Sequence, residues 1–241
     1  MEYCPEFKEL LNDPKWKGQY IGVGNPNAKI LIVGKECALE ENTLIYQKTF
    51  EQNWKDWVSN DNTNTGFDSI EEWKTDNEIF EKYNPLFPFF KQKNKNLRKL
   101  KDGSFNGGTS NTWINYQKIF NLYRKRNKGQ ENYDYIDFFK DCFITELSSV
   151  CRHNNKSISS EERKKTERSI AERYDLMKAT SFFQKFDTII MACGGYAEKL
   201  DTKLMFGDAK IINTNPLNGN RLPQLSFAIS NELLNEIAKQ L

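Results

Sequence analysis

Histidine is almost absent from this chain of 241 residues, which has one, His153. The five cysteines, Cys4, Cys37, Cys142, Cys151 and Cys193, are scattered, with no C-x-x-C pair. Zinc sites, iron–sulfur clusters and secreted disulfide frameworks each need ligands clustered at set spacings, so the sequence argues against all three. No metal or other cofactor is expected. Long apolar runs are missing as well. None approaches the roughly 20 residues that a membrane helix needs, and the start lacks the basic, apolar and small-residue succession of a secretory signal. The expectation is a cytoplasmic protein with no membrane partner. Charge of one sign is not in excess: 35 Lys and Arg against 33 Asp and Glu give a net +2, so any polyanion must be held by local patches. Neither G-x-G-x-x-G after a strand nor G-x-x-x-x-G-K-[ST] occurs, which weighs against common nucleotide-cofactor folds.

What is present suits a sizeable core. Hydrophobic residues make up 38% of the chain and aromatic residues 13%, and the expectation is one domain over 1–241. Four short apolar runs read as buried parallel strands: Lys29-Ile-Leu-Ile-Val-Gly34, Cys142-Phe-Ile-Thr-Glu-Leu147, Thr188-Ile-Ile-Met-Ala-Cys193 and Ala209-Lys-Ile-Ile-Asn213. Helical spacing fills the gaps. Residues 112–125 set Trp113, Tyr116, Ile119, Phe120 and Tyr123 on one side, read here as core; 160–186 reads as one long charged helix. The stretch after Pro223 reads as a closing helix with a possible break at Ser230 or Asn231. Alternation of this kind predicts an α/β fold of three layers, α/β/α, with a central four-stranded, mainly parallel sheet and its ligand site beyond the carboxyl ends of the strands. Residues 38–110 are too long for an ordinary connection, so this insert should hold helices of its own or an active-site cover. It carries Trp54, Trp57, Trp73 and Pro85-Leu-Phe-Pro-Phe-Phe90.

The segment Gly24-Asn-Pro-Asn-Ala-Lys-Ile-Leu-Ile-Val-Gly34 resembles the first motif of the uracil-DNA glycosylase superfamily, in which a G-N-P-x-A turn feeds a strand that ends in Gly and a catalytic acid. The order of the later strand ends is similar too, from about Gly22 onwards and apart from the insert. The resemblance implies a domain of that fold, and an enzyme that flips a damaged or deaminated base out of DNA and hydrolyses its N-glycosidic bond. Such chemistry needs a base-reading pocket, a group that activates water and donors for the departing base. No iron–sulfur cluster is implied, because the cysteine spacing of the cluster-bearing members is lacking.

Carried over residue by residue, the motif makes Gly34, Lys35, Glu36 and Cys37 the first strand end. Glu36 stands where one group of family members has the water-activating acid; in the register of another group that place falls on Lys35. Taken alone, Glu36 is equally an exposed glutamate at a helix start, and Cys37 is either a small buried residue or a reactive thiol. Around the second strand end, Ser148, Ser149, His153 and Asn154 are the base-reading candidates, with Arg152 for a phosphate; His153 is alternatively just solvated. The family histidine of the last motif is missing. In Asn213-Thr-Asn-Pro-Leu-Asn-Gly-Asn-Arg221, Asn215 replaces it as a weaker donor, or else the register passes to Leu222-Pro223 and no donor remains. The ring that stacks on the base would be Tyr46 or another aromatic of the insert.

A nucleic-acid partner is expected from two basic runs. Residues 91–101 hold Lys91, Lys93, Lys95, Arg98, Lys99 and Lys101 with no acid, followed by a glycine-rich tip bearing Phe105. The second run is Arg124-Lys-Arg-Asn-Lys128. Arg221 joins the candidate phosphate contacts. Either run is also consistent with a solvated loop offsetting acid elsewhere. A binding module that kept the scaffold and lost the chemistry is the competing reading, with a small-molecule enzyme on a flavodoxin-like sheet as a third. Nothing in the sequence fixes an oligomeric state.

Overall fold

The computed structural model describes residues 2–36, 38–39, 43–63, 66–67, 92–150, 152–153, 159–226 and 229–241. The fold is α/β. Its helices are α1 (Pro5–Asn12), α2 (Thr43–Thr63), α3 (Asn111–Lys128), α4 (Ser160–Lys178), α5 (Ser181–Gln184), α6 (Thr202–Phe206) and α7 (Asn231–Gln240). Its strands are β1 (Val23–Gly24), β2 (Ile30–Gly34), β3 (Ala38–Leu39), β4 (Cys142–Glu146), β5 (Arg152–His153), β6 (Thr188–Met191) and β7 (Lys210–Ile212).

The main sheet runs in the order β1-β4-β2-β6-β7. It has five strands and is mixed, not four: β4, β2, β6 and β7 are parallel, and β1 joins antiparallel to β4. Two residues between turns carry no readable period, so β1 left no mark in the pattern. Every residue of β2 is buried, as a strand covered on both faces requires. In register, Gly34 lies beside Glu146 and Ile32 beside Ile144 and Ile190. The pairing runs on past the strands, with the Leu147 amide donating to the Gly34 carbonyl and the Ser148 amide to that of Lys35, both at 3.0 Å. Beyond it, β3 and β5 form a separate parallel pair.

Alternate residues of β4 face opposite ways. Phe143 meets Phe7 of α1, Trp57 of α2 and Phe182 of α5, with ring centroids 5.1–5.9 Å apart. Such edge and tilted contacts each add about 0.5–1.5 kcal/mol beyond area burial. Helix α3 packs on α7, whereas α1, α2, α4, α5 and α6 are linked to one another. Trp113, Tyr116 and Phe120 of α3 are buried, in keeping with the reading of that stripe as core.

The first part of the long insert belongs to this core. Trp57 Nε1 and Asn53 Nδ2, both on α2, donate to the Gly22 carbonyl at 2.8 and 2.9 Å, and Asn53 Oδ1 accepts from the Ile21 amide. Gly22 itself has φ 141°, and a Cβ there would sit 2.1 Å from the Ile144 carbonyl oxygen. Only glycine fits so close a crossing. Trp73 and residues 85–90 lie outside the described residues.

Two helices differ from the pattern reading. The expected helix over 160–186 ends at Lys178, because Thr180 turns extended and spends its side chain locally: Oγ1 donates to the Leu176 carbonyl at 2.7 Å and accepts from Trp16 Nε1 at 3.0 Å. The closing helix starts only at Asn231, with Ser230 as its N-cap accepting from the Leu233 amide. Among the described residues no helix is long and apolar enough to cross a membrane.

Candidate functional site

The carboxyl ends of β2 and β4 lie side by side, and each delivers a carboxylate. Glu146 ends β4 and shares its face with Gly34, its register partner. A Cβ on Gly34 would stand 2.4 Å from Glu146 Oε2, so the carboxylate occupies the space that this glycine leaves open. Glu146 Oε2 is shut off from solvent and has no hydrogen-bond partner among the described residues. Burial first, and the nearby charge of Glu36 second, push the Glu146 carboxyl up to about 8, against a partial offset from Arg173. Around neutral pH it is therefore a protonated acid. Glu36, two residues beyond Gly34, is buried, and its Oε1 lies 3.2 Å from Lys35 Nζ.

Lys35 also lies over the ring of Tyr196, with Nζ 4.7 Å from its centroid. Tyr196 comes from the 3-10 turn Gly194–Lys199 that follows β6. One residue earlier, Gly195 leaves room for Arg221, whose Nη1 is 2.7 Å from where a Cβ would be. Arg221 pairs with Glu198. Three strand ends and the loop after β7 thus reach one edge of the sheet, where ligands bind in open parallel sheets.

A cation deep beneath this edge, Arg173, is held on the other face of the sheet, the one that Thr145 faces. Arg173 of α4 is 1% exposed and donates to the carbonyls of Glu146 and Tyr20 at 2.8 and 2.9 Å and to Thr145 Oγ1 at 3.0 Å. Burial pulls its pKa down to about 10, which leaves it charged at neutral pH. It fixes the backbone of β4 without touching the Glu146 carboxylate. Cys193, at the end of β6, is pushed up to about 12 by burial and then by Glu146 and Glu36, so it is an inert thiol. Tyr116 on α3 is raised by the same two causes, burial and Glu146.

The other sequence candidates are placed as follows. Ser148 is buried with its hydroxyl bonded within its own turn, accepting from the Val150 amide at 3.1 Å. Ser149 is tied to α4 through Ser169, at 2.9 Å from both its amide and its hydroxyl. Asn215 Oδ1 accepts from the Leu217 amide at 2.9 Å, an Asx turn that spends its acceptor on the loop. Arg152 and His153 form β5 beside Ala38 and Leu39, and Tyr46 lies in α2; for these three only the backbone is described. Cys37, Asn154 and Lys91 lie outside the described residues. Lys93, Lys95, Arg98 and Lys99 are exposed in the segment that precedes α3.

Glu146, Tyr196 and Arg173 were not among the candidates. A signal for Glu146 existed: a carboxylate closing the apolar run Cys-Phe-Ile-Thr-Glu has no packing reason to be there. Among the described residues no group of His, Cys, Asp and Glu is arranged to hold a metal ion. Comparison with protein-family models, with curated proteins and with solved structures finds no match to this chain.

Proposed function

We propose that this chain hydrolyses the N-glycosidic bond of a damaged or deaminated base in nucleic acid, on a three-layer α/β/α scaffold of the uracil-DNA glycosylase type. The observation that carries this reading is the carboxylate pair at the ends of β2 and β4, one member, Glu36, paired with Lys35 and the other, Glu146, protonated near neutral pH. Two carboxyl groups driven to different protonation states are the usual equipment of acid–base hydrolysis. The resemblance of residues 24–34 to the glycosylase motif and the two separate groups of helices add support.

In this mechanism Glu36 orients water and takes its proton as the oxygen attacks the anomeric carbon. The C1′–N bond breaks, its electron pair leaves with the base, and Glu146 gives the base its proton. Glu146 thereby fills the role left open by the missing histidine, while the ring of Tyr196, backed by Lys35, stacks on the base. Incubation at enzyme excess with oligonucleotides carrying uracil, hypoxanthine or a mismatch should yield abasic sites. Glu36→Gln and Glu146→Gln should each slow this by roughly 10²–10⁴-fold. The wild-type rate should fall as pH rises through about 8, where Glu146 loses its proton. Absence of abasic sites from every substrate defeats the proposal.

One observation favours a second reading. Asn215 commits its side-chain oxygen to its own turn, which suits a binding module that retains a nucleobase without cleaving it. Binding of an oligonucleotide that persists in Glu36→Gln, with no abasic product from wild type, selects that reading.

A further inference from the structure

The two basic runs, alike in sequence, have opposite surroundings. In 124–128 the cations are spoken for. Arg124 bonds Asp137 and Asp141, Lys125 pairs with Glu131 at 3.1 Å, Arg126 donates to the Ala238 carbonyl and Lys128 pairs with Asp141 at 3.2 Å. In the earlier run Lys93, Lys95, Arg98, Lys99 and Lys101 are all exposed, and none has an ion pair among the described residues.

That earlier run is held in a fixed shape. It bridges antiparallel between Lys99 and Phe105, and the Leu100 amide closes the tip on the Ser104 carbonyl at 2.7 Å. Asn106 clamps the base: Oδ1 accepts from the amides of Arg98 and Gly108, and Nδ2 donates to the Asn96 carbonyl, each at 3.0 Å. Gly108 passes so near the Lys95 carbonyl that a Cβ would stand 2.5 Å from it.

Next to this hairpin runs residues 133–136, joined by the Lys93–Tyr135 bridge and by the Asn94 amide on the Asp134 carbonyl at 3.0 Å. Tyr133 is 65% exposed and Tyr135 45%. Of the five exposed large apolar side chains among the described residues, these two and Leu100 belong to the hairpin or to the segment bridged to it. The carboxylates here are Asp102, engaged by Ser104, and the exposed Asp134, so cations outnumber them.

We propose that residues 92–109, with Tyr133 and Tyr135, form a grip for single-stranded nucleic acid in which the cations hold phosphates and the tyrosine rings stack on unpaired bases. Cations with no ion pair among the described residues supply the salt-dependent attraction, and exposed rings distinguish single strand from duplex, whose bases are already stacked. The fixed backbone lowers the ordering cost of binding. The inference rests on the reading above for its partner alone, and it is measured without turnover.

The test is fluorescence anisotropy of a labelled oligothymidylate and of a duplex, titrated with the Glu36→Gln protein across a salt series. The single strand should bind more tightly, and its affinity should fall steeply with salt. Arg98→Glu with Lys99→Glu should weaken binding at least tenfold. Tyr133→Ala and Tyr135→Ala should each cost the single strand roughly fivefold or more and leave the duplex unchanged. Lys125→Gln with Lys128→Gln should have no effect. Equal affinity for duplex and single strand, indifference to the tyrosines, or binding to anionic vesicles with none to oligonucleotide overturns the proposal. Base release that persists where the grip is lost, or a grip without base release, separates this outcome from that of the catalytic reading.

Discussion

Two pairs of acidic residues in this protein are handled in opposite ways. Asp137 and Asp141 share one guanidinium, Arg124, which reaches them with Nη1 at 2.5 Å and Nε at 2.6 Å. Burial works against the charges of both Arg124 and Asp137. The hydrogen bonds and charges between the partners outweigh it, so Asp137 is held below the usual carboxylate range and Arg124 is raised. Glu36 and Glu146 are brought together instead, with Arg173 kept across the sheet and bound to backbone oxygens. One arrangement closes a set of charges and stabilises the fold. The other leaves an acid whose pKa is raised beside a second carboxylate, which costs stability.

The contrast can be broken from its strongest end. Arg124→Met should strand Asp137 and leave Asp141 only Lys128, and destabilise the protein by about 3–5 kcal/mol in urea titration, while any base release by the folded fraction is kept. Glu146→Gln should do the reverse. Because the folded carboxyl is raised to about 8 from an ordinary 4.5, the folded state keeps a proton that the unfolded chain releases. Wild-type stability on this account falls as pH rises from about 4.5 to about 8 and stays lost above it. At pH 8 the glutamine variant should be more stable than wild type by about 2–4 kcal/mol, with a flatter pH profile over that window; a variant less stable at pH 8 contradicts the assignment.

The Arg124 site has the opposite sign. Asp137 is depressed, so its contribution is present above about 4 and lost as pH falls through its folded pKa, and Arg124→Met should remove that acid limb. The smallest effect on stability belongs to Gly34→Ala. The new methyl meets the far end of the Glu146 side chain, whose Oε2 no hydrogen bond holds among the described residues, so Tm should move little while base release falls with the displaced carboxylate.

The legibility of the sequence followed the kind of signal. The strands Ile30–Gly34, Cys142–Glu146 and Thr188–Met191 stand out because burial on both faces demands unbroken apolar runs, whereas the edge strand Lys210–Ile212, with Lys210 exposed, is marked only by its Ile-Ile pair. The antiparallel Val23–Gly24 does not, since two residues show no period. Nothing in the sequence around Thr180 marks a helix end, because neither Gly nor Pro is there; the break comes from a hydroxyl that bonds Trp16, which is 164 residues away. Glu36 could be singled out from its motif. Glu146 became visible as its partner only when the register set it beside Gly34, and the two basic runs were told apart only by their acidic neighbours.

The small β3–β5 ribbon sets a rule for how this site tolerates insertion and deletion. Gly34 pairs with Glu146 and, further on, Ala38 pairs with Arg152. The chain advances 38 − 34 = 4 positions on one side and 152 − 146 = 6 on the other, a surplus of two. An even surplus preserves the parity of the pleat. Length changes in either connection should therefore survive selection in steps of two, since a single added residue shifts the pairing of Ala38 with Arg152 by one position.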